Sequence, residues 1–157
     1  MRKLFILLLV TFACLNANSQ CNCQILNNGG HDIKQCAISP MASDNSLQIG
    51  IGAGKMATTT YLSLTIRFRY SALKLKRNLH ITLANGKMIE LQLLNSGLAY
   101  IGNSEVCQAT LIVNNSNKTL LKQSTVKTIT FSLEDGLKHV LSVKMNGDVI
   151  STQLNCL

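Results

Sequence analysis

Residues 61–70 alternate without a break. Leu62, Leu64, Ile66, Phe68 and Tyr70 fall on one side, and Ser63, Thr65, Arg67 and Arg69 fall on the other. A period of two sends successive side chains to opposite faces of a strand. The segment therefore predicts a strand with one buried and one wet face, as in an antiparallel sheet. A slip of one residue would bury both arginines, so the register is firmly set.

Residues 79–83 and 87–93 predict a hairpin. The pair Asn85-Gly86 invites a two-residue loop, which would set Ile81 against Glu90 and Leu79 against Gln92. A three-residue loop, Ala84-Asn85-Gly86, sets Ile81 against Ile89 and Leu79 against Leu91. The hydrophobic phase selects the second, with Gly86 left-handed in a G1 bulge. Leu133-Glu134-Asp135-Gly136-Leu137 has the same form. A short helical turn over residues 134–141 competes with it, because Leu137, Val140 and Leu141 also sit at helical spacing.

Asn146-Gly147 predicts another hairpin, leading into Val149-Ile150. Cys107, Ala109, Leu111 and Val113 alternate with polar residues until the asparagine-rich stretch 114–117 predicts a turn. Residues 47–52 read as an early strand weakened by glycine. Residues 20–45 are polar, carry Asn27-Asn28-Gly29-Gly30 and Ser39-Pro40, and read as loop tied down by cysteines. No helical period of useful length follows the first residues. Together these segments give about seven to nine short strands, the signature of an all-β protein. The expected fold is an antiparallel β-sandwich of immunoglobulin-like architecture or a small barrel. The chain has no tryptophan, which argues against a true immunoglobulin domain with its buried strand-C tryptophan.

The first nineteen residues have a different design. Arg2 and Lys3 precede an apolar run over residues 4–13, and Ala17 and Ser19 supply small residues before Gln20. That is the three-part build of a secretory signal peptide, residues 1–19. The run is about half the ~20 residues a bilayer span needs. No transmembrane span is therefore expected after leader removal. A secreted or periplasmic address follows, with a polar cysteine-containing segment at 20–45 and a β-domain at 46–157. The alternative is a lipid anchor at Cys14, of which only Ala13 fits the usual preceding pattern.

Five cysteines remain after the leader: Cys21, Cys23, Cys36, Cys107 and Cys156. In an exported chain these read first as disulfide partners. The odd number leaves one over. Connectivity does not follow from sequence; separation favours Cys107–Cys156 and one of Cys21 or Cys23 with Cys36. Cys21, Cys23, His31 and Cys36 are metal-ligand types, but Cys-x-Cys is tighter than the structural zinc template. Copper(I) is the one metal worth a test there. No metal or cofactor is expected.

The charge pattern speaks to partners. The full chain carries +8 with only 14% charged residues, and a basic surface favours anionic partners. No acid occurs between Asp44 and Glu90, a gap that holds Arg67, Arg69, Lys74, Lys76 and Arg77. These five are the candidate contact residues for an anionic glycan, a lipid headgroup or an envelope protein. Phe68 and Tyr70 are expected in the core, leaving Tyr61 alone on the basic face. The stacking platform of single-strand nucleic-acid binders is then missing, so no specific nucleic acid is expected. The aromatic content of 4% is too low for the girdles of an outer-membrane barrel.

Gly50-Ile51-Gly52-Ala53-Gly54-Lys55-Met56 fails as a phosphate loop. Met56 stands where the magnesium-binding hydroxyl belongs, and Ile49 precedes Gly50. The glycines read instead as a strand or loop that another backbone approaches closely.

The leader ending in Asn-Ser-Gln, the stretch Leu83-Ala84-Asn85-Gly86-Lys87 and the run over residues 128–137 resemble small uncharacterised exported proteins of Bacteroidetes-type bacteria. The resemblance implies location and no activity. The expected function is an exported, non-enzymatic binding or structural module of the cell envelope. The alternative is a small exported hydrolase using His31, Asp32 and a cysteine.

Overall fold

The computed structural model describes residues 21–157. The expected leader and the lipid-anchor alternative at Cys14 lie outside the described residues. Ten strands and two short helices make up the described part: β1 (Cys23–Asn28), β2 (His31–Cys36), β3 (Ser39–Ser43), β4 (Leu47–Met56), β5 (Thr59–Phe68), β6 (Leu79–Leu83), β7 (Met88–Ile101), β8 (Ser104–Val113), α1 (Asn115–Gln123), β9 (Val126–Ser132), β10 (Lys138–Ser142) and α2 (Val149–Cys156). The all-β expectation holds.

All pairings are antiparallel, and the strand order is β1-β2-β4-β5-β8-β7-β6-β9-β10, with β3 also on β4. β2 pairs with the end of β4 at Gly54 to Met56, and β3 pairs with its beginning at Gln48 to Ile51. They lie end to end along one edge of β4, interrupted at Ala37 and Ile38.

β7 turns the corner. Met88 to Leu91 pair with β6, and Gln92 to Ile101 pair with β8. The register shifts between Leu93 and Asn95, leaving Leu94 unpaired and exposed. A bulge bends its strand and flips its phase, and here it folds the two halves of the sheet over one core. Ile49, Ile51, Leu62, Leu64, Ile66, Leu79, Ile81, Leu83, Leu91 and Phe131 are all fully buried there. The roll brings β3 near β10, where Asn146 Nδ2 donates to the Pro40 carbonyl oxygen at 2.8 Å. No ladder joins β3 to β10, so the result is an unclosed barrel.

The predicted hairpin register is the observed one: Ile81 faces Ile89 and Leu79 faces Leu91. Gly86 has φ of 83° and donates to Leu83 O at 3.0 Å, while Leu83 N donates to Lys87 O at 2.8 Å. The turn at 134–136 repeats this, with Gly136 at φ 81° and Gly136 N on Leu133 O at 2.9 Å. The competing helical turn does not form.

Four expectations fail. Residues 20–45 are not a tethered loop: β1, β2 and β3 form within them, and Met41 is fully buried. The asparagine stretch is a helix start, because the Asn114 side chain accepts from Asn117 N at 2.8 Å and caps α1. Asn146-Gly147 leads into α2 rather than a strand, since Ile150, Gln153 and Leu154 are buried together at helical spacing. Tyr70 is 80% exposed, because β5 ends at Phe68.

Candidate functional site

The outer face of β4, β5, β8 and β7 is a grid fixed by register. Gly52, Ser63, Thr110 and Asn95 form one row; Gly50, Thr65, Gln108 and Gly97 form the next; Gln48, Arg67, Val106 and Ala99 form a third. Directly opposed residues on paired strands share a face, so the alternation that buries Leu62, Leu64 and Ile66 sends Ser63, Thr65 and Arg67 outward.

The glycines of β4 give this face its shape. A methyl on Gly52 would sit 2.8 Å from the Cys36 carbonyl oxygen, and one on Gly50 would sit 2.7 Å from the Ile38 side chain. The break between β2 and β3 therefore rests on bare backbone, as the glycine pattern predicted. At Gly54 the space is taken by the Tyr61 ring. Tyr61 donates its hydroxyl to Gln35 Oε1 at 2.7 Å, and burial pushes its phenol pKa up from the ordinary value.

Gln153 of α2 closes the same break from behind. Its Oε1 accepts from Ala53 N at 2.7 Å, and its Nε2 donates to Ala37 O at 2.8 Å. A buried glutamine thus supplies the pair of hydrogen bonds that a continuous ladder would have made there.

The Gln35–Ile38 segment on one side and Asn95, Gly97 and Ala99 on the other enclose a groove of about 640 Å³. Its floor is Ser63, Thr65, Gln108 and Thr110. No charged or aromatic side chain lines it. The groove continues past Ile38 into a second hollow of about 310 Å³ bounded by Pro40, Gln48, Arg67 and Ile101. Thr65 belongs to both. The residue is only 6% exposed, and its Oγ1 has no hydrogen-bond partner. Buried hydroxyls are normally paired; this one is unpaired and closed off just beneath the floor of the cleft.

The five basic candidates have different local surroundings. Arg67 sits at the end of the groove. Arg69 follows β5, donates its backbone N to Ser46 O at 2.8 Å and places its guanidinium 5.8 Å from the Tyr70 ring centroid. Tyr70 was expected in the core, so this cation–π contact was not foreseen. Lys74 and Lys76 flank Leu75, which bridges to Leu133. Arg77 lines a shallow hollow with Asn78, His80 and Glu90.

Two disulfides form: Cys21–Cys156 and Cys23–Cys36. The second was among the expected pairs. Cys107–Cys156 is not made, because Cys107 points into the core from β8 and remains a buried free thiol, while the N-terminal segment reaches α2 instead. Cys23 and Cys36 are register partners, so their bridge closes the open end of the β1–β2 hairpin. His31 and Asp32 lie at its other end, exposed, and the Asp32 carboxylate accepts from Asn27 at 3.2 Å. The structure does not bring His31 and Asp32 together with the free thiol. Among the described residues no three His, Cys, Asp or Glu side chains gather as metal ligands, and no helix is long and apolar enough to cross a membrane.

Sequence reasoning missed Gln153, Gln35 and the groove floor. The outward Ser63 and Thr65 were visible in the alternation; the walls that bury Thr65 were not. No family model, no curated protein and no solved structure matches this chain.

Proposed function

We propose that this chain is an exported, non-enzymatic binding module of the cell envelope, and that the outer-face groove is its ligand site. Two disulfides point to an oxidising compartment. The unpartnered Thr65 hydroxyl in the groove floor carries the reading. Its burial costs free energy, and a ligand seated in the groove recovers it through a small shift of the walls that uncovers the hydroxyl.

The lining selects the ligand class. Hydroxyls and amides without charge favour a neutral, hydroxyl-rich chain such as an oligosaccharide. Arg67 at the far end adds one cation for a ligand with an acidic terminus.

Gly97 provides the test. A side chain there meets nothing within 4 Å of its Cβ, so Gly97→Leu should fold and fill the groove. Calorimetric titration with a panel of neutral oligosaccharides should show binding by the native chain and at least tenfold weaker binding by the variant. Equal binding by both would remove the groove from consideration.

A further inference from the structure

A separate cation cluster sits where the helices meet the sheet. Lys34 and Lys55 are direct cross-strand partners on β2 and β4, and Lys55 faces Thr60 on β5. From α1, Lys118 Nζ reaches Thr60 Oγ1 at 3.3 Å. Lys122 follows one turn later on the same helix. Like charges opposed across a ladder or four apart on a helix destabilise a fold, yet this arrangement does both.

Lys34 is accounted for, since its Nζ donates to the Cys156 carbonyl oxygen at 2.6 Å, at the C-terminal end of α2 where a cation is favourable. The other three are not. β4, β5, α1 and α2 contain no Asp or Glu. The Lys118 ammonium is held below its ordinary pKa, first by desolvation and then by the positive charges of Lys122 and Lys55. Thr60 is buried; its oxygen accepts from Lys118, which leaves its hydroxyl hydrogen to donate.

We propose that Lys55, Lys118, Lys122 and the Thr60 hydroxyl form a binding site for a phosphate group. Lysines recognise phosphate as point charges, and the bound dianion neutralises the repulsion that the free protein carries. The site lies apart from the groove, so its failure would leave the groove reading standing.

The test uses the oxidised protein and inorganic phosphate, titrated against chloride at matched ionic strength. The Lys118 and Lys122 side-chain resonances should move to saturation with phosphate alone. Lys122→Gln should raise the melting temperature, because a repulsive charge is gone, and should weaken phosphate binding at least fivefold. Lys76→Gln, in the segment between β5 and β6 that bonds Ser132 of β9, should change neither. A response identical in chloride, or unaltered phosphate affinity in Lys122→Gln, overturns the proposal. Vesicles of phosphatidylglycerol then separate the sources. Binding that phosphate displaces identifies a lipid headgroup; phosphate binding without vesicle binding identifies a soluble phosphate; both outcomes support the chemistry.

Discussion

Replacing Gln153 by Leu would test how the break between β2 and β3 is held. The two side chains are similar in volume, so packing changes little. Two hydrogen bonds disappear, from Ala53 N and to Ala37 O. Ala53 is fully buried, so its N–H is left without a partner at a cost of about 1–3 kcal/mol. Ala37 is exposed, and water takes over its carbonyl. With the lost net bonding of about 1 kcal/mol, the variant should be about 2–4 kcal/mol less stable. The Cys21–Cys156 bridge still tethers α2, so the loss reports the bonds and not release of the helix. In urea, with a slope of about 2 kcal/mol per molar, the midpoint should fall by about 1–2 M at unchanged slope. A loss of less than about 0.5 kcal/mol would refute the bridging role. Gln153→Glu adds a pH signature. Protonated, the new acid both accepts from Ala53 N and donates to Ala37 O; ionised, it cannot donate and is buried. Its folded pKa is therefore raised above the ordinary carboxyl value, so its contribution is present at low pH and lost as pH rises through the folded pKa.

Thr65→Val should stabilise the free protein by about 1 kcal/mol, since an unpaired buried hydroxyl is removed, and should weaken oligosaccharide binding; thermal melts and calorimetry read the two effects. Gly52→Ala should destabilise by about 1–3 kcal/mol, because the new methyl meets the Cys36 carbonyl, and Gly50→Ala should destabilise by a similar amount, because its methyl meets the Cγ2 of β-branched Ile38 at 2.7 Å; the urea assay reads both. Ala57 holds φ of 52° between β4 and β5, so Ala57→Gly should gain about 0.5–1 kcal/mol by removing the left-handed penalty. Loss of the Cys21–Cys156 bridge, which spans 135 residues, should cost about 5 kcal/mol in the chain-entropy model, and loss of Cys23–Cys36, spanning 13, about 3 kcal/mol; peptide mapping after alkylation under denaturing, non-reducing conditions should show Cys107 modified and Cys21, Cys23, Cys36 and Cys156 unmodified.

Local rules made much of the sheet legible in the sequence. The phase of Ile81 against Ile89 selected the right loop length, and the alternation of β5 assigned both faces over residues 62–67 correctly. The glycines of β4 announced a close backbone approach without saying whose. What stayed hidden depends on contacts distant in sequence. β1, β2 and β3 read as loop because their sequences are polar and lack a strong period; pairing to β4 and a disulfide hold them. α1 and α2 are too short for a helical period to stand out, and packing on each other and on β4 stabilises them. Thr65 looks like any outward threonine on a strand. Only the wall made by Ile38 and the bend of β7 after Leu94 bury it. The cations behave similarly: the acid-free gap drew attention to Arg67 through Arg77, while Lys55, Lys118 and Lys122 come together only through the fold.

The most direct test of the groove as the ligand site is amide chemical-shift mapping of the oxidised protein during titration with a neutral oligosaccharide. The groove reading predicts saturable shifts centred on Ser63, Thr65, Gln108 and Thr110, absent in Gly97→Leu. Shifts confined to another face, or persisting in the blocked variant, would contradict it.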